Sequence, residues 1–120
     1  MISTFYGIFQ AVERQGYCPR HPHRPAARSR ELSRIVAAGG NHAYDVLVYV
    51  GLARFVHCRQ GEEIRNDLCR EHKIDLPPST VSYLARKFVA YFHVAHEESR
   101  DLLRGDMRLR GGYILHVDGS

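Results

Sequence analysis

No stretch of this 120-residue chain is apolar over anything near the ~20 residues that a bilayer-spanning helix requires. Its richest run, Val46 to Val56, reads instead as a buried core helix. The N-terminus lacks the charged-then-apolar pattern of a secretory signal. The three cysteines, Cys18, Cys58 and Cys69, are odd in number and irregular in spacing, which argues against a disulfide framework. A reducing cytoplasm is the expected setting, with no membrane partner. Lysine is also scarce: only Lys73 and Lys87 stand among 17 basic side chains, so the net charge of +4 rests on arginine. Arginine's planar fork suits bidentate contact with phosphate, and a basic chain built on it points to nucleic acid.

What is present is organised around Glu62 to Phe88. In Glu62 to His72 the apolar residues Ile64 and Leu68 sit four apart among charges, which predicts a short helix with one narrow buried stripe. Pro77 and Pro78 interrupt it. Pro78 suits a first helical position, where its missing N–H costs nothing and its φ is already set. On the helix that follows, Val81, Leu84, Ala85 and Phe88 share one side, and Ser79, Ser82, Tyr83 and Arg86 share the other. Two helices joined by a tight turn, the second presenting Ser, Tyr and Arg outward, make the helix-turn-helix pattern whose second helix enters the major groove. Arg can hold guanine by a bidentate pair, and Ser or Thr can reach bases or phosphates. The same spacing also occurs in helical interaction modules that never touch DNA.

The remaining segments are read around that unit. Met1 to Gln15 fits either a strand or a short helix, and Tyr17 to Pro25, with three prolines among basic groups, is a loop. Cys18, His21 and His23 have the spacing of one half of a zinc site, but no matching second half follows, so zinc is not expected. Arg28 to Val36 is a short amphipathic helix or an extended arm, and Ala37 to Asn41 breaks the chain. Tyr44 to Arg59 reads as the first and most buried of three helices, with Asp45 near its start, where the macrodipole favours negative charge. The stripe of the Pro78 helix continues through Tyr91, Phe92, Ala95, Leu102 and Leu103. This predicts a helix of roughly 40 Å ending at Gly105, with a bend or break near Ser99. Tyr113 to Asp118 alternates as a strand after the Gly111-Gly112 hinge.

Several stretches together resemble the N-terminal part of bacterial insertion-sequence transposases of the Asp-Asp-Glu type. They are Tyr17-Cys18-Pro19-Arg20-His21-Pro22, Tyr44 to Gly51, Arg59 to Ile64 leading into Ser79-Thr80-Val81, and above all Gly112-Tyr113-Ile114-Leu115-His116-Val117-Asp118-Gly119. The chain departs from that pattern at Pro77, where a Ser is common, and at Ser120, where a Thr is. The resemblance implies that the closing strand is the first of an RNase H-like catalytic domain and that Asp118 is the first of three carboxylates holding Mg2+. Strand transfer at phosphorus uses two metal ions about 4 Å apart. The sequence ends at Ser120, before a second Asp and a Glu, so the triad is incomplete, no cofactor is expected in this chain, and Mg2+ belongs to a full-length relative.

The fold class expected is therefore mainly α: a three-helix helix-turn-helix DNA-binding domain with a long C-terminal helix and one terminal β-strand. An irregular basic region spans 1–41, the helix-turn-helix domain 42–104, and the hinge and first strand 105–120. The expected function is recognition of mobile-element ends; the alternative is a standalone helix-turn-helix regulator or transposition inhibitor. Double-stranded DNA would meet Ser79, Thr80, Ser82, Tyr83, Arg86, Lys87, Arg59 and Arg65, with the basic loop near Arg20 to Arg30 on phosphates. A homodimer is left open.

Overall fold

The N-terminal residues that fit either strand or helix form a hairpin. In the computed structural model, which describes residues 1–114, β1 (Ile2–Thr4) pairs antiparallel with β2 (Gly7–Phe9), Ile2 opposite Phe9 and Thr4 opposite Gly7. The turn needs Gly7, whose φ of 136° is a conformation that L side chains rarely adopt. Thr4 Oγ1 closes it, accepting from Tyr6 N at 3.1 Å and donating to the Gly7 carbonyl at 2.8 Å. Strands this short are marginal alone, and β1 is held on its other edge by the segment just before the helix that starts at Tyr44. There Ser3 N donates to Asn41 O, and Ala43 N donates to Ser3 O, each at 2.9 Å. Ile2 is buried with Val36 and Ala43, and Leu32 from α1 (Arg30–Ile35) packs on them. Helix α1 is capped by Ser29, whose Oγ accepts from Leu32 N at 3.3 Å. Glu13 anchors that cap, accepting from Ser29 N at 2.6 Å and from Arg28 Nε at 3.3 Å. The Ser29 amide, with smaller help from Gln15 and Arg28, holds the Glu13 carboxyl below its ordinary range against the opposing effect of burial.

Three helices then close a second, larger core: α2 (Tyr44–Phe55), α3 (Gly61–His72) and the first part of α4 (Pro78–Glu98). Val46, Leu47, Val50 and Ala53 from α2 meet Ile64 and Leu68 from α3 and Val81, Leu84 and Ala85 from α4. Of the expected stripes, Ile64, Leu68, Val81, Leu84 and Ala85 are buried and Phe88 is half-buried, whereas the expected continuation through Tyr91, Phe92, Ala95, Leu102 and Leu103 is exposed. Removing any of the large aliphatic side chains in such a core costs about 2–5 kcal/mol. Gly51 on α2 leaves room for the Phe88 side chain of α4; a Cβ there would penetrate the Phe88 ring. Glycine inside a helix costs up to about 1 kcal/mol relative to alanine, and here that loss is offset by the packing it permits. Phe55 lies nearly parallel to Phe88, ring centroids 6.2 Å apart.

The hairpin is joined to this core by contacts with no simple sequence signature. Asp45, expected to serve the helix macrodipole, accepts Phe5 N at 3.0 Å and Val46 N at 2.6 Å. The Phe5 ring stacks on His72 at 4.1 Å and meets Tyr49 edge-on at 5.4 Å.

The chain divides into two units, Met1–Phe88 and Val89–Ser120. In the second, the helix breaks near Ser99 as expected, α4 ending at Glu98 and Ser99 adopting φ −91° and ψ 2°, but the expected end at Gly105 is corrected, since α5 (Arg100–Leu109) passes through it. The stop comes at Gly111 and Gly112, both at positive φ, with Gly112 N donating to Met107 O at 2.9 Å. Gly105 has an ordinary helical backbone, so it lacks the left-handed geometry that ends a helix. Tyr113 and Ile114 are exposed and outside any strand, and the rest of the expected closing strand, with Asp118, lies outside the described residues. Among the described residues no helix is long and apolar enough to cross a membrane.

Two outcomes follow for stability. Gly51→Ala is expected to cost about 1–3 kcal/mol by overpacking, measured by urea denaturation, and Phe88→Ala in the same chain should relieve part of that loss. His42 is held below the ordinary imidazole range by burial, with Nδ1 2.6 Å from Ser3 Oγ. A depressed folded pKa means its contribution is present above the unfolded value near 6.5 and lost as pH falls below it. Stability measured from pH 8 down to pH 5 should therefore fall less steeply in His42→Gln than in the parent chain.

Candidate nucleic-acid interface

The surface of interest begins with the turn that aims α4. Helix α3 ends at Lys73, which takes a left-handed conformation (φ 56°, ψ 30°) while its N–H and that of Ile74 both reach Leu68 O. From there the chain is extended to Pro77, with Ile74 and Leu76 buried and Asp75 and Pro77 exposed. Two buried anchors in five residues fix the turn. Arg65 fixes it again, its Nε donating to Leu76 O at 2.6 Å. The Pro77 carbonyl then accepts from Thr80 N at 3.0 Å and Val81 N at 3.3 Å, starting α4 without a side-chain cap.

On α4 the two faces separate as the periodicity requires. Val81, Leu84 and Ala85 are buried; Ser79, Ser82, Tyr83 and Arg86 are exposed, and Thr80 and Lys87 are half-buried at the edge. Lys87 Nζ lies 5.5 Å from the centre of the Tyr83 ring, a cation–π contact that holds both side chains along the outer face. Arg86 makes no ion pair among the described residues. Its guanidinium is therefore available to an outside acceptor.

The other expected contacts are placed differently. Arg59, half-exposed before α3, bonds Asp67 and reaches Glu63 at 3.8 Å. Asp67 also accepts from Arg70 at 3.1 Å. Arg65 lies between Glu62 at 3.5 Å and Asp75 at 3.9 Å besides its bond to Leu76. Both side chains thus have internal partners. Arg59 precedes α3, so its reach to Glu63 is made by the chain entering the helix, and the Leu76 carbonyl is brought to Arg65 only by the turn. Nearby, burial and then the Asp67 and Glu71 carboxylates push the Tyr49 phenol above its ordinary range.

The basic loop stands apart from these pairs. Gly16 and Ala27 exchange backbone hydrogen bonds at 3.3 and 2.7 Å and pinch its base. Arg20, His21, His23 and Arg24 are exposed on it, while Arg28 is turned inward to Glu13. Asp118, the expected metal carboxylate, lies outside the described residues. Among the described ones no group of three or more His, Cys, Asp or Glu could hold a metal.

The two roles open to Arg65 are separable. Arg65→Met is expected to lower stability by about 1–2 kcal/mol in chemical denaturation, because the Leu76 carbonyl and the turn lose a charged donor. An Arg65→Met chain as stable as the parent would mean the bond to Leu76 contributes nothing.

Comparison of the chain with protein-family models, with curated proteins and with solved structures finds no match in any of the three.

Proposed function

We propose that Met1–Phe88 binds double-stranded DNA as a helix-turn-helix unit, with α3 and the Lys73–Pro77 turn supporting α4 as the helix that enters the major groove. One observation carries the proposal: Ser79, Ser82, Tyr83 and Arg86, which has no ion pair among the described residues, form a continuous exposed face directly above the buried Val81, Leu84 and Ala85. A face of this kind is short enough to approach base edges and holds a bidentate donor for guanine. Thr80 and Lys87 flank it, and Arg20 and Arg24 on the pinched loop supply charge suited to phosphate. Arg59 and Arg65 act first by fixing α3 and the turn, so their contribution to DNA is positional.

Within that reading, the resemblance to Asp-Asp-Glu transposases makes mobile-element ends the target and the nucleoid the place of action. Asp118 would then take its metal-binding role in a protein that carries the remaining carboxylates. A standalone regulator or transposition inhibitor is the second reading. It is favoured by one feature, that among the described residues both buried clusters and the side chains packed on them come from Ile2 to Phe88.

The electrostatic and base-reading parts separate in one experiment, fluorescence anisotropy of labelled duplexes across a salt series. Affinity should fall steeply and linearly on a log–log plot against salt, and Arg24→Ala should reduce the slope by about one while weakening all sequences alike. Arg86→Ala should remove about 1–3 kcal/mol of discrimination between preferred and random duplexes selected from a randomised pool. An absence of binding at low salt, or selectivity untouched by Arg86→Ala, would remove the proposal.

A further inference from the structure

The N-terminal hairpin leaves one hydrogen-bonding edge that the DNA-binding reading does not use. Ser3 stands opposite Ile8 in the β1–β2 pair. The Ser3 N–H donates to Asn41 O and the Ser3 carbonyl accepts from Ala43 N, both on the side away from β2. In an antiparallel ladder two opposed residues exchange both backbone bonds or neither. Ser3 and Ile8 are therefore a non-bonded pair, and the Ile8 N–H and C=O point away from β1, toward the open edge. Neither has a hydrogen-bond partner among the described residues.

Open strand edges are ordinarily blunted by lysine, proline or a bulge. This one is not: from Met1 to Val12 the sequence has no charged side chain and no proline. Tyr6, Ile8 and Val12 are well exposed, and Phe9 is partly so. Beside β2 lies a cavity of about 540 Å3 lined by Tyr6, Ile8, Phe9 and Ile35, with Arg34 and Asp45 as its charged members.

We propose that two copies of the chain pair through this edge, β2 against β2 about a two-fold axis, with Ile8 of one copy opposite Ile8 of the other. A two-fold antiparallel pairing places one residue opposite itself, and a residue whose N–H and C=O both point outward then forms two reciprocal bonds. Charge selects the second copy as the occupant. Each chain has a net charge of +4, so two copies repel in most orientations, and the uncharged first twelve residues are where they can close. The cavity beside them has one charge of each sign, which is self-complementary across a two-fold axis. A strongly acidic or basic partner has no matching surface there. Three-residue strands and a few apolar side chains fall short of the ~20–30 residues a side of a stable complex, so the dimer is a weak one. No residue of the outer face of α4 takes part, and the pairing stands or falls separately from DNA binding. Where both hold, the half-sites on the duplex are related by the same two-fold axis.

Sedimentation equilibrium of the full chain, kept reduced and free of DNA, tests the pairing. The weight-average mass should rise from 13.8 kDa toward twice that value as the concentration is raised to about 200 µM. Ile8→Lys and Ile8→Glu each set like charges opposite one another at the axis, and each should weaken self-association by about tenfold or more. Mixed in equal amounts the two variants should associate again, because the opposed charges then attract. Both should keep the parent's circular dichroism, since Ile8 is exposed and its backbone N–H and C=O are unused within the fold. A parent chain that stays at 13.8 kDa throughout, an Ile8→Lys variant that associates like the parent, or a mixture no more associated than either variant alone would overturn the proposal.

Discussion

The seat that Gly51 of α2 leaves for the Phe88 ring of α4 is the constraint on which the three-helix core depends. A hydrogen in place of a methyl lets the Phe88 ring lie against the α2 backbone, with Phe55 stacked beside it. With that seat filled, Val46 and Val50 share one buried cluster with Val81, Leu84 and Ala85. The orientation of α4 about its own axis is set by the same contact. Rotating the helix to relieve Phe88 would carry Ser82 and Arg86 toward the interior, where an unpaired guanidinium is costly. The polar character of the outer face is thus maintained by packing on the inner one.

The arginines sort by what the fold has already placed beside them. Arg28, Arg59 and Arg65 each have a carboxylate or carbonyl within bonding distance, and each holds two segments in place: the cap of α1, the start of α3, and the turn before α4. Exposed pairs of this sort add little stability on average. Arg65 differs because its partner is a backbone carbonyl in a turn whose side chains are buried. Arg86, Arg20 and Arg24 lack such partners among the described residues and remain as charge directed to solvent. A basic composition alone does not distinguish the two groups.

In the second unit, α5 has no buried residue; Leu103 and Met107, four apart, are the least exposed of its large apolar side chains, and Arg100, Arg104 and Arg108 recur at four-residue spacing. Two short-range pairs, Arg100 with Glu97 and Arg110 with Asp106, lie along these helices. The first spans the break at Ser99 and the second ties the cap residue Arg110 back to α5.

Local physics made much of this legible. Pro78 as the first residue of α4, the stripe of Ile64 and Leu68, the split of α4 into a hydroxyl-and-guanidinium face and an aliphatic face, and α2 as the first helix of the core all follow from φ restriction and a 3.6-residue period. Those properties belong to short windows of chain. The glycine that ends α5 was not legible, because Gly105 and Gly111 look alike until the backbone shows which one takes positive φ. Nor were the hairpin, the Phe5–His72 stack and the Arg65–Leu76 bond, since each joins residues whose only relation is that folding brings them together. The amino-acid order by itself determined which faces are greasy and where helices start. Only the tertiary structure decided which arginines are held internally and which remain for a partner, because a charge is committed or free according to neighbours distant in the chain.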